Sequence, residues 1–152
     1  MSGLESLYQE LILDHSKRPH GKGLAEAHPG ARTATSHQRN PICGDEITLE
    51  VRVSDDGATV EAVTWDGAGC SISQASASML SALIEEEDGM PRAEASTLIE
   101  GFREALRSRG EIPLDEEVFG DAAALSGVSK FTARVKCAML AWVAFEDGLA
   151  RA

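Results

Sequence analysis

The sequence has little positive charge, few aromatic residues and no long apolar run. Its 152 residues include 14 Lys and Arg against 25 Asp and Glu, which gives a formal net charge of −11 at pH 7. Such a surface repels nucleic-acid phosphates, so we expect no nucleic-acid partner. No segment has the roughly 20 apolar residues of a membrane-spanning helix, and the N-terminus carries no signal-peptide core. These absences predict a cytoplasmic protein that does not insert into a membrane.

Cysteine is also scarce, with three residues in the chain. An odd count in a reducing compartment argues against a disulfide framework. Cys43, Cys70 and Cys137 therefore either fill the core or carry chemistry. The chain is long enough to bury one substantial core, and we predict a single domain over residues 1–152.

The first half of the chain is predicted to form a helix and a small antiparallel sheet. Apolar residues recur at helical spacing over residues 3–16. Residues 32–38 resemble a polar edge strand. Apolar and polar residues alternate over 47–53, a turn follows, and residues 59–65 return as the second strand of a hairpin.

The second half is predicted to be helical. Apolar stripes indicate one helix after Cys70, a second around residues 98–106 and a third over 131–149. Residues 111–129 are expected to form an irregular loop with one short helix near 122–125. Strands followed by helices predict an α+β fold, a small antiparallel sheet with helices packed on one face.

Two of the thiols are predicted to lie at turns. Cys70 follows a Gly-Ala-Gly turn, at the junction of a strand and a helix, where the helix dipole favours the thiolate. Small residues follow it in GAGCSISQASAS, which leaves the thiol accessible. Cys43 lies in the turn NPICGDE, and Asp45, two residues later, can reach the same point.

The third thiol, Cys137, is predicted to point away from the core. Phe131, Val135 and Trp142 share one side of the predicted helix, and Cys137 lies far from its centre. Each residue has a simpler explanation: a lone cysteine is often core filler, and Asp45 could cap a turn. Taken jointly, however, three thiols and a carboxylate predict a tetrahedral site for zinc or an iron–sulfur cluster.

Histidine offers weaker ligand candidates. His15 is expected at the end of the first helix, where the dipole favours its charge, and His20 is expected in a solvated loop. Neither forms a cluster with the thiols in the sequence.

Four segments of the chain carry a resemblance to a known family: LYQELILDHSKRPHGKG, NPICGDEI, GAGCSISQASASML and ARVKCAMLAW. In this order they resemble the SufU-type zinc-dependent sulfurtransferases of the IscU-like iron–sulfur cluster assembly family. The resemblance extends over essentially the whole chain and implies the IscU-like sandwich, a small antiparallel sheet packed by helices.

The resemblance also implies roles for individual residues. Cys43 would take sulfur from a SufS-type cysteine desulfurase, a pyridoxal-phosphate enzyme, and pass it toward a downstream assembly scaffold. Arg134 would engage the desulfurase. One zinc ion would be held by the four residues that match the family's ligands: Cys43, Asp45, Cys70 and Cys137.

Two alternatives remain open from the sequence. An iron–sulfur cluster scaffold is the first, but IscU scaffolds have a histidine directly before the third cysteine, where this chain has Lys136. A structural zinc module that serves as an adaptor is the second. Asp45 argues against it, because closed structural zinc sites prefer Cys and His.

Overall fold

A computed structural model of the chain describes residues 3–24, 32–41, 44–86 and 89–152. These residues contain one antiparallel sheet in which the strand order follows the chain order. Its strands are β1 (Arg32–Asn40), β2 (Asp45–Val53), β3 (Thr59–Ala68) and the two-residue β4 (Met90–Pro91).

The helices lie at the N-terminus and in the second half of the chain. They are α1 (Gly3–Lys17), α2 (Ser71–Glu86), α3 (Arg92–Arg107), the short α4 (Glu116–Phe119), a 3₁₀ helix (Gly120–Lys130) and α5 (Thr132–Arg151). The predicted α+β class is confirmed. Among the described residues, no helix combines the length and apolar character needed to cross a bilayer.

The alternation of β2 explains why the helices cover one face of the sheet. Its inward residues are almost fully buried, whereas the residues between them stay partly accessible. An alternating strand presents all of its apolar side chains to the same side. α5 packs against β1 and β2 there, and α2 packs against β3. The buried residues of β2 on this face are Ile47, Leu49, Val51 and Val53.

An aromatic cluster joins α3 to α5 beneath the sheet. The rings of Phe102 and Trp142 stack with centroids 4.1 Å apart and an interplanar angle of 9°. Phe119 meets Trp142 edge-on at 6.3 Å. Such pairs contribute about 0.5–1.5 kcal/mol beyond their area burial. The core thus holds α5 in place against its neighbours.

Residues 111–129 are more ordered than the sequence predicts. The short helix expected near 122–125 lies within the 3₁₀ helix, but α4 and the rest of the 3₁₀ helix take the place of most of the predicted irregular loop. The carboxylate of Asp115 caps α4 by accepting the Glu117 N–H at 2.9 Å, and Gly120, with φ of 55°, ends it. The alanines of 122–124 are buried, and the 3₁₀ helix that carries them contacts α1, α2 and α5, which no local periodicity signals.

Candidate metal centre

Three elements bring functional side chains to one end of the sheet. Asp45 is the first residue of β2, and Cys70 lies between the end of β3 and the start of α2. Glu46 pairs with Ala68, so the start of β2 lies beside the end of β3. Cys137 approaches the same point from the second turn of α5.

The structure places Asp45, Cys70 and Cys137 as one cluster. One carboxylate oxygen and the two sulfur atoms all lie within 4.8 Å of one another. Asp45 is 2% exposed and Cys137 is 4% exposed, whereas Cys70 is accessible to solvent. The cluster is therefore buried on one side and open on the other.

The backbone of Cys70 fixes the orientation of Asp45. The Cys70 N–H donates to Oδ1 of Asp45 at 3.0 Å, and Oδ2 lies 3.7 Å from the Cys70 sulfur. One oxygen is thus occupied by an amide while the other faces the thiols. The Cys70 carbonyl accepts from the Ser73 hydroxyl at 3.0 Å and from the Gln74 N–H at 3.1 Å, which holds Cys70 at the start of α2.

Gly69 leaves the space that the Asp45 carboxylate occupies. A Cβ added at Gly69 would lie 2.5 Å from Oδ1 of Asp45 and 2.6 Å from the Ser73 hydroxyl oxygen. We expect Gly69→Ala to displace the carboxylate and lower the affinity for Zn²⁺ by roughly 10- to 100-fold, as loss of a supporting contact does. Competition with a chelator measures this change.

Gly127→Ala is the matched control for that substitution. A Cβ at Gly127 meets no atom of the described residues within 4 Å, so this variant adds the same methyl group without a clash among them. Equal zinc affinity in the two variants would show that Gly69 has no part in positioning Asp45.

The prediction that Cys137 points away from the core is wrong. Its side chain is buried, whereas Phe131, expected in the core stripe, is 60% exposed. The reason is that α5 is packed by the sheet, α2, α3 and the 3₁₀ helix, so it buries more than one side. Its first turn has less to pack against. Cys137 nonetheless meets Asp45 and Cys70, as the shared-site prediction requires.

The remaining predicted site residues lie outside this cluster or outside the described residues. Cys43 is outside them, so its metal-binding and sulfur-accepting roles stay predictions. Its sequence neighbours Pro41 and Gly44 lie in the connection between β1 and β2, at the end of the sheet where Asp45 begins β2. Arg134 is exposed and lies three residues before Cys137 on α5.

The donor set suits a soft or borderline metal ion. Among the described residues no ion pair includes Asp45, although its carboxylate is almost fully buried. A buried carboxylate without a positive partner is unfavourable, and a bound cation would supply that charge. Two sulfur donors beside one oxygen donor fit zinc, whose ligands are Cys, His and carboxylates.

A Ser–His–Asp chain outside this cluster has a structural role. His15 Nδ1 lies 2.7 Å from the Ser78 hydroxyl, and its Nε2 lies 2.9 Å from Asp121. Ser78 also accepts the His20 N–H at 2.7 Å and is completely buried, so no substrate can reach it. The network ties α1 to α2 and the 3₁₀ helix. The sequence pattern missed it, because His15 was expected only as a helix-end residue and His20, which pairs with Glu85, as a solvated one.

Comparison with known proteins gives a consistent family assignment. The family model of the NifU-like N-terminal domain matches residues 7–138. The chain is 38% identical over 150 residues to the zinc-dependent sulfurtransferase SufU of Bacillus subtilis (strain 168), covering 99% of this chain and 94% of that protein. It is 36% identical over 151 residues to the iron–sulfur cluster assembly scaffold protein IscU of Streptococcus pyogenes serotype M1, covering 99% and 87%.

A solved structure supports the fold. The crystal structure of an N-terminal NifU-like protein from Brucella abortus superimposes with a TM-score of 0.77. The superposition covers 99% of this chain and 96% of the Brucella abortus chain, at 22% sequence identity. At that identity the likeness shows a shared fold and nothing about chemistry.

Proposed function

The chain belongs to the NifU-like N-terminal domain family, and we propose that it is a zinc-dependent sulfur acceptor and transferase in iron–sulfur cluster assembly. It takes persulfide sulfur from a cysteine desulfurase and passes it to a downstream assembly scaffold. The observation that carries the proposal is the cluster of Asp45, Cys70 and Cys137, a buried carboxylate beside two thiols. The 38% identical SufU relative, described as zinc-dependent, supports it.

Zinc would be held by the three clustered residues together with Cys43. When bound, it would keep the thiols deprotonated and arranged at neutral pH. The chain's own groups prepare this set. The Cys70 amide orients Asp45, and the packing of α5 fixes Cys137.

Sulfur transfer is proposed to occur at Cys43. Its thiolate attacks the terminal sulfur of the persulfide on the desulfurase cysteine. A new S–S bond forms at Cys43, the S–S bond of the desulfurase breaks, and the desulfurase thiolate leaves with the electron pair. The proton on the transferred sulfur moves with it, so the step consumes no oxidant or reductant.

Two cations on α5 are proposed to assist this transfer. Arg134 and Lys136 lie within the three residues before Cys137 on α5, where their charges would offset the negative charge of the thiols. Arg134 would also contact the desulfurase. Location in the cytoplasm and organisation as a single domain over residues 1–152 stay predictions.

The alternative is a scaffold on which an iron–sulfur cluster forms. Relatives described as IscU scaffolds favour it, whereas Lys136 in place of the IscU histidine argues against it. Metal and acid-labile sulfide analysis of anaerobically purified protein separates the two. We expect one zinc per chain and no sulfide. Iron and sulfide together at cluster stoichiometry, without zinc, would contradict the proposal.

Asp45→Ala is expected to weaken zinc retention without unfolding the chain. A carboxylate is the hard member of a soft ligand set, and water could fill its position. We therefore expect a smaller loss of zinc affinity than from removing a thiol, together with slower sulfur transfer. Zinc competition measures the affinity, circular dichroism checks that the fold is intact, and single-turnover kinetics measure the rate of sulfur transfer. Normal transfer kinetics would argue against a ligand role for Asp45.

A further inference from the structure

A groove between α1, the 3₁₀ helix and the start of α5 has no structural occupant among the described residues. Its cavity volume is about 460 Å³, within the range of roughly 300–1,000 Å³ typical of binding pockets. No side chain over residues 6–17 of α1 is fully buried, and Tyr8, Leu11 and Ile12 pack against the core while staying partly accessible. The groove is lined by Tyr8, Gln9, Ile12, Ile72, Ala124, Gly127, Val128, Lys130, Phe131 and Arg134.

The groove combines an exposed aromatic ring with positive charge. Phe131 is 60% exposed, the largest exposed fraction among the large hydrophobic residues described. Lys130 and Arg134 lie on either side of it in sequence, and neither forms an ion pair with a described residue. Among the side chains that the structure describes, no carboxylate lines the groove. The described lining of the groove is therefore positively charged, although the chain as a whole has a net charge of −11.

The groove adjoins the candidate metal centre. Ile72, in its wall, is two residues after Cys70, and Arg134 is three residues before Cys137. Residues three apart on a helix lie on the same face, about one turn from each other. The wall of the groove therefore reaches to within about one helical turn of Cys70 and Cys137.

We propose that this groove docks the cysteine desulfurase through a segment that carries an apolar anchor side chain beside carboxylates. The apolar wall and Phe131 would receive the anchor, and Lys130 and Arg134 would pair with the carboxylates. Central aromatic and arginine contacts carry most of the affinity of such interfaces, and charge complementarity speeds association. This inference rests on the proposed function, because it assigns a surface to the partner that supplies sulfur.

The test measures binding of the zinc-loaded chain to a SufS-type cysteine desulfurase from the same organism. We expect Phe131→Ala to raise Kd at least tenfold. Lys130→Glu should raise Kd strongly at low salt and less at high salt, because salt screens the charge pairs. At saturating desulfurase both variants should accept sulfur at the wild-type rate, since docking is weakened and Cys43 is intact.

Two matched variants control for exposure and net charge. Val118→Ala removes another exposed apolar side chain, on α4, and Arg107→Glu makes the same charge change on α3. Both should bind the desulfurase like the wild type, and zinc content should be equal in all variants. Wild-type Kd values for Phe131→Ala and Lys130→Glu would overturn the groove assignment while leaving the proposed function intact.

Two further outcomes would also overturn the assignment of the groove to the desulfurase. A wild-type chain that neither binds the desulfurase nor accepts its sulfur would remove the proposed function and the groove assignment together. A chain that self-associates through the groove, with Phe131→Ala dissociating the dimer but not altering desulfurase affinity, would identify a second copy as the occupant instead.

Discussion

Replacing Cys70 or Cys137 with Ser is expected to remove most zinc binding and to lower Tm substantially. The two thiols come from separate elements, α5 and the β3–α2 junction, so the metal would tie these elements together. Zinc present at 1,000 times its Kd stabilises the folded state by about 4 kcal/mol. For a chain of this size, that corresponds to roughly 8–16 °C in Tm.

The apo forms provide the control for this prediction. Cys137 is buried, so Ser there also changes the packing of α5, an effect that does not depend on metal. Measuring Tm with and without a chelator separates the two effects. We expect the Tm values of the wild type and the variants to differ far more with zinc bound than after the chelator has removed it. Full zinc occupancy in both variants would rule out a shared site.

Cys43→Ala is expected to abolish sulfur acceptance and the activation of the desulfurase. The reason is that the acceptor thiol must move to the partner's persulfide, whereas the other two thiols are held in place. The Cys70 amide donates a hydrogen bond to Asp45, and the Cys70 carbonyl accepts one from Ser73 of α2, so Cys70 is held in place. Cys137 is fixed because it is buried on α5. Cys43 lies between Pro41 and Gly44 in the sequence, and this turn composition predicts a thiol that can move to a partner without unwinding a helix. Desulfurase turnover with and without the variant measures the effect.

The outcome is informative only if the variant retains its fold. Far-ultraviolet circular dichroism should show unchanged helix content, because α2, α3 and α5 are held by core residues far from Cys43 in sequence, such as Phe102 and Trp142. A folded Cys43→Ala variant that still stimulates the desulfurase as the wild type does would move the acceptor role to another residue.

The regular elements could be predicted because their patterns reflect one-sided burial. Alternation over 47–53 corresponds to β2, whose inward side chains meet the helices, and the apolar stripes correspond to α1, α2 and α3. Within residues 111–129 only the short helix near 122–125 could be predicted, because small residues such as Ala122 are buried by their neighbours rather than by their own periodicity. β4 is too short for any pattern.

The candidate site was predictable in its members but not in its geometry. Turn residues around Cys70 and Asp45 indicate where the chain reverses, and the resemblance indicates which thiols belong together. Single-helix periodicity misplaced Cys137, because several elements surround α5. The contact between Asp45 and the Cys70 amide, and the space left by Gly69, depend on strand register, which composition does not encode.

Locating the transferred sulfur tests the central claim most directly. The zinc-loaded chain is incubated with a SufS-type desulfurase and cysteine, its thiols are alkylated, and peptides are mapped by mass spectrometry. We predict one persulfide sulfur on Cys43, with Cys70 and Cys137 unmodified. A persulfide on Cys70 or Cys137 while Cys43 stays unmodified would contradict the account.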